Sequence, residues 1–267
     1  MPKTSSEAWQ FSSRAREAFA AAQREVTPQE ASLEAWVAKY AVEHKKRLEG
    51  DLDLVADRFA QGARLLEYGA SPLLMTVALQ EIGFEVDAVD LAPERFSEVI
   101  ERRGLQVVRC DVEREAVPFP ADEFDGLLFN EIFEHLRIDP IFTMREALRV
   151  LKPGGRMLLS TPNLRSFRGL KNLFLENRAH AASGDVYAQY HKLQTLGHMG
   201  HVREYTTREV ADFLTQIGFF VEETVFRGGY GRGLTGCAER LAPSLRPFFT
   251  IVASKPQASP AAEDPNA

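Results

Sequence analysis

In the segment NEIFEHL, residues 130–136, two carboxylates and an imidazole stand close together: Glu131, Glu134 and His135, at spacing i, i+3, i+4. One helical turn would bring all three onto one face. Such a set can hold a divalent ion (Mg²⁺, Mn²⁺, Fe²⁺ or Zn²⁺), and a further histidine makes the site stronger. His198 and His201, in GHMGHVREYT, are the available donors. An ion held there would activate a hydroxyl nucleophile. Without an ion, the same chemistry needs a general base. His135 is the first choice and His201 the next, because an imidazole titrates near neutrality. Spacing alone leaves both alternatives open, beside a third in which His135 only walls a pocket.

A second set of polar residues closes apolar runs. LLEYGASPLLM, residues 65–75, reads as a strand ending at Glu67, a turn at Gly69, and a helix for which Ser71 is the expected N-cap and Pro72 the first helical residue. A dinucleotide loop needs two further glycines, and Ser71 and Leu73 stand in their places, which counts against NAD or FAD. Asp90 closes the run VDAVD, placed to accept hydrogen bonds from two ribose hydroxyls. Asp111, in CDV, can accept from an exocyclic adenine amine while Val112 lies against the ring. Ala70 and Leu91 flank these positions, and Asn130 ends the next apolar run.

These residues need a scaffold that brings strand ends together. ARLLEY, EVDAVD, LQVVRCD, FDGLLFN, GRMLLSTP, FFVEETVF and PFFTIVASK read as seven strands, with helices expected over 72–82, 93–103 and 140–151. Near-continuous apolar strands alternating with helices imply an α/β fold, a mostly parallel Rossmann-like sheet covered on both faces, whose ligands bind beyond the carboxyl ends of the strands. Ahead of the first strand, amphipathic stretches at 33–48 and 52–59 predict two helices. Residues 1–62 then form an N-terminal helical cap, 63–254 the main domain, and 255–267 a tail of disorder-prone composition. Residues 164–205 break the rhythm and read as an insertion over the active face. Within it, Arg165, Arg168, Lys171 and Arg178 interleave with Phe167, Leu170 and Phe174. That pattern suits either a helix packed on the sheet edge or a lid making peripheral contacts through 164–178.

Composition bounds the setting. The chain has 267 residues and a formal net charge of −6, which argues against gripping nucleic acid over a broad surface. It has two cysteines outside any CxxC pair, no apolar run of membrane-spanning length and no apolar leader, so a cytoplasmic location is expected.

Taken together, LLEYGASP, VDAVDLAPERF, CDVE, PFPADEFDGLLFNEIFEHL and REALRVLKPGGRMLLSTPN resemble a class I S-adenosylmethionine-dependent methyltransferase, type 11-like, over residues 64–160. The resemblance implies S-adenosylmethionine as cofactor, with Glu67 and Gly69 flanking its methionine portion, Asp90 on the ribose, and Asp111 with Val112 on the adenine. The family's usual glycines at positions 71 and 73 are Ser71 and Leu73 here. The ExxEH stretch and the later His-x-x-x-Tyr-Thr segment resemble the ubiquinone-pathway O-methyltransferases and the small-RNA 2′-O-methyltransferases. That implies Glu131, Glu134, His135 and His201 as ligands of a divalent metal. The expected activity is O-methylation of a small molecule, a sugar or a lipid-linked glycan. An RNA 2′-O-methyltransferase and a non-catalytic cofactor-binding module are the alternatives, and no oligomeric state is set.

Overall fold

The computed structural model describes residues 3–5, 12–196, 200–229 and 233–257. The strands are β1 (Lys3–Ser5), β2 (Arg64–Tyr68), β3 (Glu85–Asp90), β4 (Gln106–Arg109), β5 (Phe124–Asn130), β6 (Leu151–Pro162), β7 (Phe220–Arg227) and β8 (Phe248–Ser254). They form one sheet in the order β1-β7-β8-β6-β5-β2-β3-β4, parallel except that β8 runs against both β6 and β7. The seven expected strands are therefore present, and β1 joins as a short parallel edge beside β7. Its residues, KTS, carry no apolar pattern that would announce a strand.

Pairing of β2 between β3 and β5 buries it on both faces. Leu65 enters a core with Phe19, Leu52 and Val77, and its neighbour Leu66 enters another with Phe129, Met144 and Leu214. This is the period-two alternation of a strand packed on both sides. The first core is closed by α1 (Ser13–Glu25), α2 (Ala31–Arg58), α3 (Leu74–Glu81) and α4 (Ser97–Arg103), the second by α5 (Pro140–Val150) and α8 (Thr207–Ile217). The insertion carries α6 (Phe167–Glu176) and α7 (Val186–Leu196), and α9 (Gly233–Leu241) precedes β8.

Three expectations are corrected. The two N-terminal helices are one 28-residue helix, α2. Its single interior glycine, Gly50, costs about 1 kcal/mol, and burial of Leu48, Leu52 and Val55 on either side outweighs it. The helix foreseen over 93–103 starts as a 3₁₀ turn at Pro93–Phe96. The tail does not start at 255: Lys255 donates its backbone N–H to Gly155 and its Nζ to Asp122 and to the carbonyls of Arg149 and Leu151. Residues 258–267 lie outside the described residues.

Candidate active site

At the end of β2 the chain turns at Gly69, whose φ is +65° and whose missing side chain makes room for Ile132: a Cβ would lie 2.1 Å from Ile132 Cδ1. Glycine is required there on both counts. Ser71 does not cap the following helix, and Pro72 is not its first residue. The Ser71–Pro72 peptide is cis, Leu73 adopts the left-handed conformation at φ +65°, and α3 begins only at Leu74. Leu73 thus takes a conformation that glycine reaches at no steric cost, held by its burial at 1% exposure. Ser71 instead donates its backbone N–H to Asp90 Oδ2 at 2.8 Å, while Ala92 N–H reaches Oδ1 at 2.9 Å. Asp90 therefore locks the loop, and its two oxygens keep lone pairs for a ligand.

A cleft open to solvent lies at this turn, lined by Glu67, Gly69, Ala70, Ser71 and Asn130 together with Tyr40 and Arg47 of α2. Ser71 Oγ and Asn130 Nδ2 are buried with no hydrogen-bond partner among the described residues. Buried polar atoms are normally paired, so these two are able to hydrogen-bond with a ligand in the cleft. Glu67 is buried and accepts from Thr76 Oγ1 at 2.6 Å, and burial, reinforced by the charge of Asp90, pushes its carboxyl up to about 8. A cationic ligand beside it would restore the ionised form. Asp111 sits farther along the strand ends, accepting from Glu113 N–H at 3.1 Å. Val112 is half-buried against the second core, and Leu91 is exposed.

Opposite the turn, α2 supplies a buried positive charge. Arg47 donates from Nη2 to Tyr40 Oη at 3.0 Å and faces Asp51 at 3.7 Å, and Asp51 also pairs with Arg227. Burial works against the Arg47 charge, but Tyr40, Glu131 and Asp51 more than offset it, so the guanidinium is held above its ordinary range. Arg227 ties the group to the sheet, donating to Arg47 O at 3.0 Å and to Thr250 Oγ1 at 2.9 Å. Tyr40 and Arg47 were missed in the sequence. On an amphipathic helix they read as one aromatic and one charge, and only the packing of α2 over the strand ends turns them inward.

Beyond Asn130 the chain does not form the α-helical turn that the spacing suggested. Glu131 is left-handed, φ +55°, and only Phe133–His135 form a 3₁₀ turn. Glu131 turns toward β6, accepting from Ser160 Oγ at 3.1 Å, and does not join the cluster below. Burial first, then Asp51, raise its carboxyl above the usual range against the pull of Arg47 and Ser160.

Glu134, His135 and His201 do converge, each offering a ligand atom within 4.8 Å of the others. Glu134 is buried, accepts from Thr161 Oγ1 at 2.8 Å through Oε2, and is left with Oε1 unpartnered among the described residues. Burial and the nearby Glu131 hold its carboxyl well above the usual range. His135 Nδ1 lies 3.0 Å from the carbonyl of Gly200, to which it can only donate, so in the neutral imidazole the lone pair is on Nε2. Gly200 must be glycine, since a Cβ would meet Gln189 O at 2.3 Å. The His135 and His201 rings meet edge-to-face with centroids 4.8 Å apart. Segment 200–204 is stitched to this turn, Val202 N–H donating to Glu134 O at 2.8 Å. Glu204 Oε1 faces His201 Nδ1 at 3.5 Å, a contact that is not a formed hydrogen bond, and its carboxyl is brought down to about 2: burial opposes this, and the neighbouring His201 ring with hydrogen bonds from Ser183 and Ala181 overcomes it. His198 lies outside the described residues.

The fold and the strand-end cleft together define a class I methyltransferase architecture. The family model described as "Methyltransferase domain" matches residues 40–224, and the chain belongs to that family. A "Ubiquinone biosynthesis O-methyltransferase" of Xanthomonas oryzae pv. oryzae is 37% identical over 118 residues, covering 42% of this chain and 48% of that protein. The protein of the same name from Cereibacter sphaeroides is 33% identical over 118 residues, covering 43% and 47%. The chain thus spans about half the length of the curated relatives it matches. An S-adenosylmethionine-dependent methyltransferase from Mesorhizobium loti shares the fold at TM-score 0.54 and 19% identity, covering 78% of this chain and all of the other. One from Archaeoglobus fulgidus does so at 0.54 and 18%, covering 81% and 99%.

Proposed function

We propose that this chain is an S-adenosylmethionine-dependent O-methyltransferase of a small molecule bearing a hydroxyl group. The observation that carries the reading is the convergence of Glu134, His135 and His201 at the strand ends next to the cofactor cleft. Strand β6 runs between the two: Ser160 Oγ is within hydrogen-bond reach of Asn130 on the cleft side, and Thr161 donates to Glu134 of the cluster. The names of the curated relatives attach O-methylation to ubiquinone biosynthesis, which favours a phenolic acceptor over a sugar, a lipid-linked glycan or RNA.

In this reading bound S-adenosylmethionine supplies an electrophilic methyl group on a sulfonium. Arg47 faces the carboxylate of its methionine end, Ser71 and Asn130 give their unpartnered polar atoms to that end, Asp90 takes the ribose hydroxyls, and Asp111 with Val112 takes the adenine. The chain then has to place an acceptor oxygen in line with the methyl and remove its proton. His135 Nε2 is the first candidate to receive the proton, with His201 beside it. A divalent ion is the other way to the same end: the unpartnered Glu134 Oε1, His135 and His201 fit as its ligands, and it would supply a lowered hydroxyl pKa. The reaction needs no membrane span, and no described helix is long and apolar enough to be one. We place the protein in the cytoplasm. Phe174 and Leu175 of α6 are more than three-quarters exposed, beside Arg168, Lys171 and Arg178, which suits peripheral contact with an anionic lipid surface.

The test is calorimetry with S-adenosylhomocysteine followed by methyl transfer from labelled cofactor to phenolic, sugar and glycolipid acceptors and to single-stranded RNA. Transfer to a phenol or other small hydroxyl is expected. Absence of cofactor binding overturns the reading, and binding without transfer to any acceptor leaves a binding module instead. If the ion is resident, chelation lowers transfer and Glu134→Ala removes it; full activity of an ion-free preparation assigns the proton to the histidines alone.

A further inference from the structure

The backbone around His201 is held on both sides. Its own N–H donates to Gln189 Oε1 of α7 at 3.1 Å, and the next two N–H groups donate to Glu134 O at 2.8 and 3.3 Å. What these bonds leave undetermined is the direction of the imidazole itself. Among the described residues the acid within ion-pair distance of it is Glu204, three residues on, with Oε1 at 3.5 Å from His201 Nδ1. Glu204 is only 4% exposed, and its other partners come from a distant part of the insertion. Ala181 N–H donates to Oε2 at 2.5 Å, Ala182 N–H is shared between both oxygens at 3.1 Å, and Ser183 N–H donates to Oε1 at 2.5 Å.

Three consecutive amides on one carboxylate fix its plane, as backbone N–H groups do when they cradle an anion. A carboxylate fixed in this way can orient an imidazole through Nδ1, the arrangement by which outer carboxylates set ring direction and tautomer for functional histidines. We propose that Glu204 is the positioning residue of the acceptor site: it fastens the 181–183 segment to the His201 ring and so directs Nε2 of His201 toward Glu134 and His135. The proposal rests on the reading that His201 serves that site.

The full-length protein carrying ¹³C-labelled histidine tests it, with amide exchange at Ala181, Ala182 and Ser183 as a second readout. Glu204→Gln keeps the size and removes the charge and one acceptor. It is expected to bind S-adenosylhomocysteine within about twofold of the native protein, to speed exchange at the three amides at least about tenfold, and to shift or broaden the His201 ring signals. Methyl transfer falls about 10–100-fold. Unchanged His201 ring signals overturn the proposal, whether or not the amides exchange faster, because Glu204 is then only a staple for the insertion. Should Glu204→Gln lose cofactor binding through misfolding, His201→Gln reads the coupling from the other side: faster exchange at Ser183, which shares Oε1, is expected, and unchanged exchange overturns it. Full methyl transfer by His201→Gln would sink the role given to His201 while leaving the coupling to be judged by the exchange and ring signals.

Discussion

The cleft at the β2 turn, proposed to hold the cofactor, and the Glu134–His135–His201 cluster, proposed to serve the acceptor, both lie at the carboxyl ends of the strands but are assembled in different ways. In the cleft, Glu67, Gly69, Ser71 and Asp90 belong to adjacent β-α units, and the loop between β2 and α3 is locked by a carboxylate 19 residues away. In the cluster, His135 meets the 200–204 segment across 65 residues of chain. The first site is built by strand-to-helix turns, the second by an insertion folded back on the sheet. A cofactor common to many chains can be held by local geometry, whereas the acceptor pocket is made by the segment that is free to vary.

Arg47 is the sharpest challenge to that division, because it brings a residue of α2 to a cleft otherwise built from turns. Removing a buried charge leaves Glu131 without its nearby cation and Asp51 with Arg227 alone, so Arg47→Met is expected to cost about 3–5 kcal/mol of stability and to abolish S-adenosylhomocysteine binding. Denaturant titration and calorimetry read the two effects. Native affinity in this variant would return α2 to the role of a cap.

On the acceptor side, Glu134→Gln and His135→Ala should lower methyl transfer by about 10²–10⁴-fold, the range for losing a positioned acid or base, with cofactor affinity nearly unchanged. A matching loss of affinity would show that the two sites are one. Within the cleft, Gly69→Ala forces a Cβ toward Ile132 at an unfavourable φ and should cost about 1–3 kcal/mol, measured as a shift in the unfolding midpoint.

Glu67 gives the comparison a pH dependence. Its carboxyl is raised in the folded protein to about 8 from 4.5, so its contribution is fully present below pH 4.5 and is lost as the pH rises through about 8. Glu67→Gln removes that slope, so the difference in melting temperature between native and variant protein should move in the variant's favour over this window. A difference that stays flat with pH would place Glu67 in contact with solvent. Ser71→Ala is the smallest effect, about 1 kcal/mol in S-adenosylhomocysteine affinity for one lost hydrogen bond, with stability unchanged.

Much of the scaffold was legible in the residues alone. Continuous apolar runs such as FDGLLFN signalled strands buried on both faces, and the polar residues closing them line a cleft at the strand ends. The errors fell where local signals were overridden. Ser71-Pro72 carries the signature of a helix start, yet Asp90 takes the Ser71 N–H and Leu73 turns left-handed, so α3 starts later. ExxEH carries a helical spacing, yet Glu131 follows the end of β5 in a left-handed turn and points to Ser160, and only two of its three polar residues reach the cluster. Tyr40 and Arg47 had no motif to announce them.

By itself the sequence determined the strand pattern, the polar strand ends at one edge of the sheet and the residue types able to handle a cofactor and a proton, because hydrophobic period and turn chemistry act over a few residues. Tertiary structure alone decided which groups meet: that a helix ahead of the sheet places a guanidinium in the cleft, that His135 finds the Gly200 carbonyl, and that Glu204 joins His201 to 181–183. Those contacts follow from the packing of segments far apart in the chain, and burial there, by removing water, pushes a few carboxyls toward their neutral form while neighbouring groups hold one arginine charged, which no local pattern encodes.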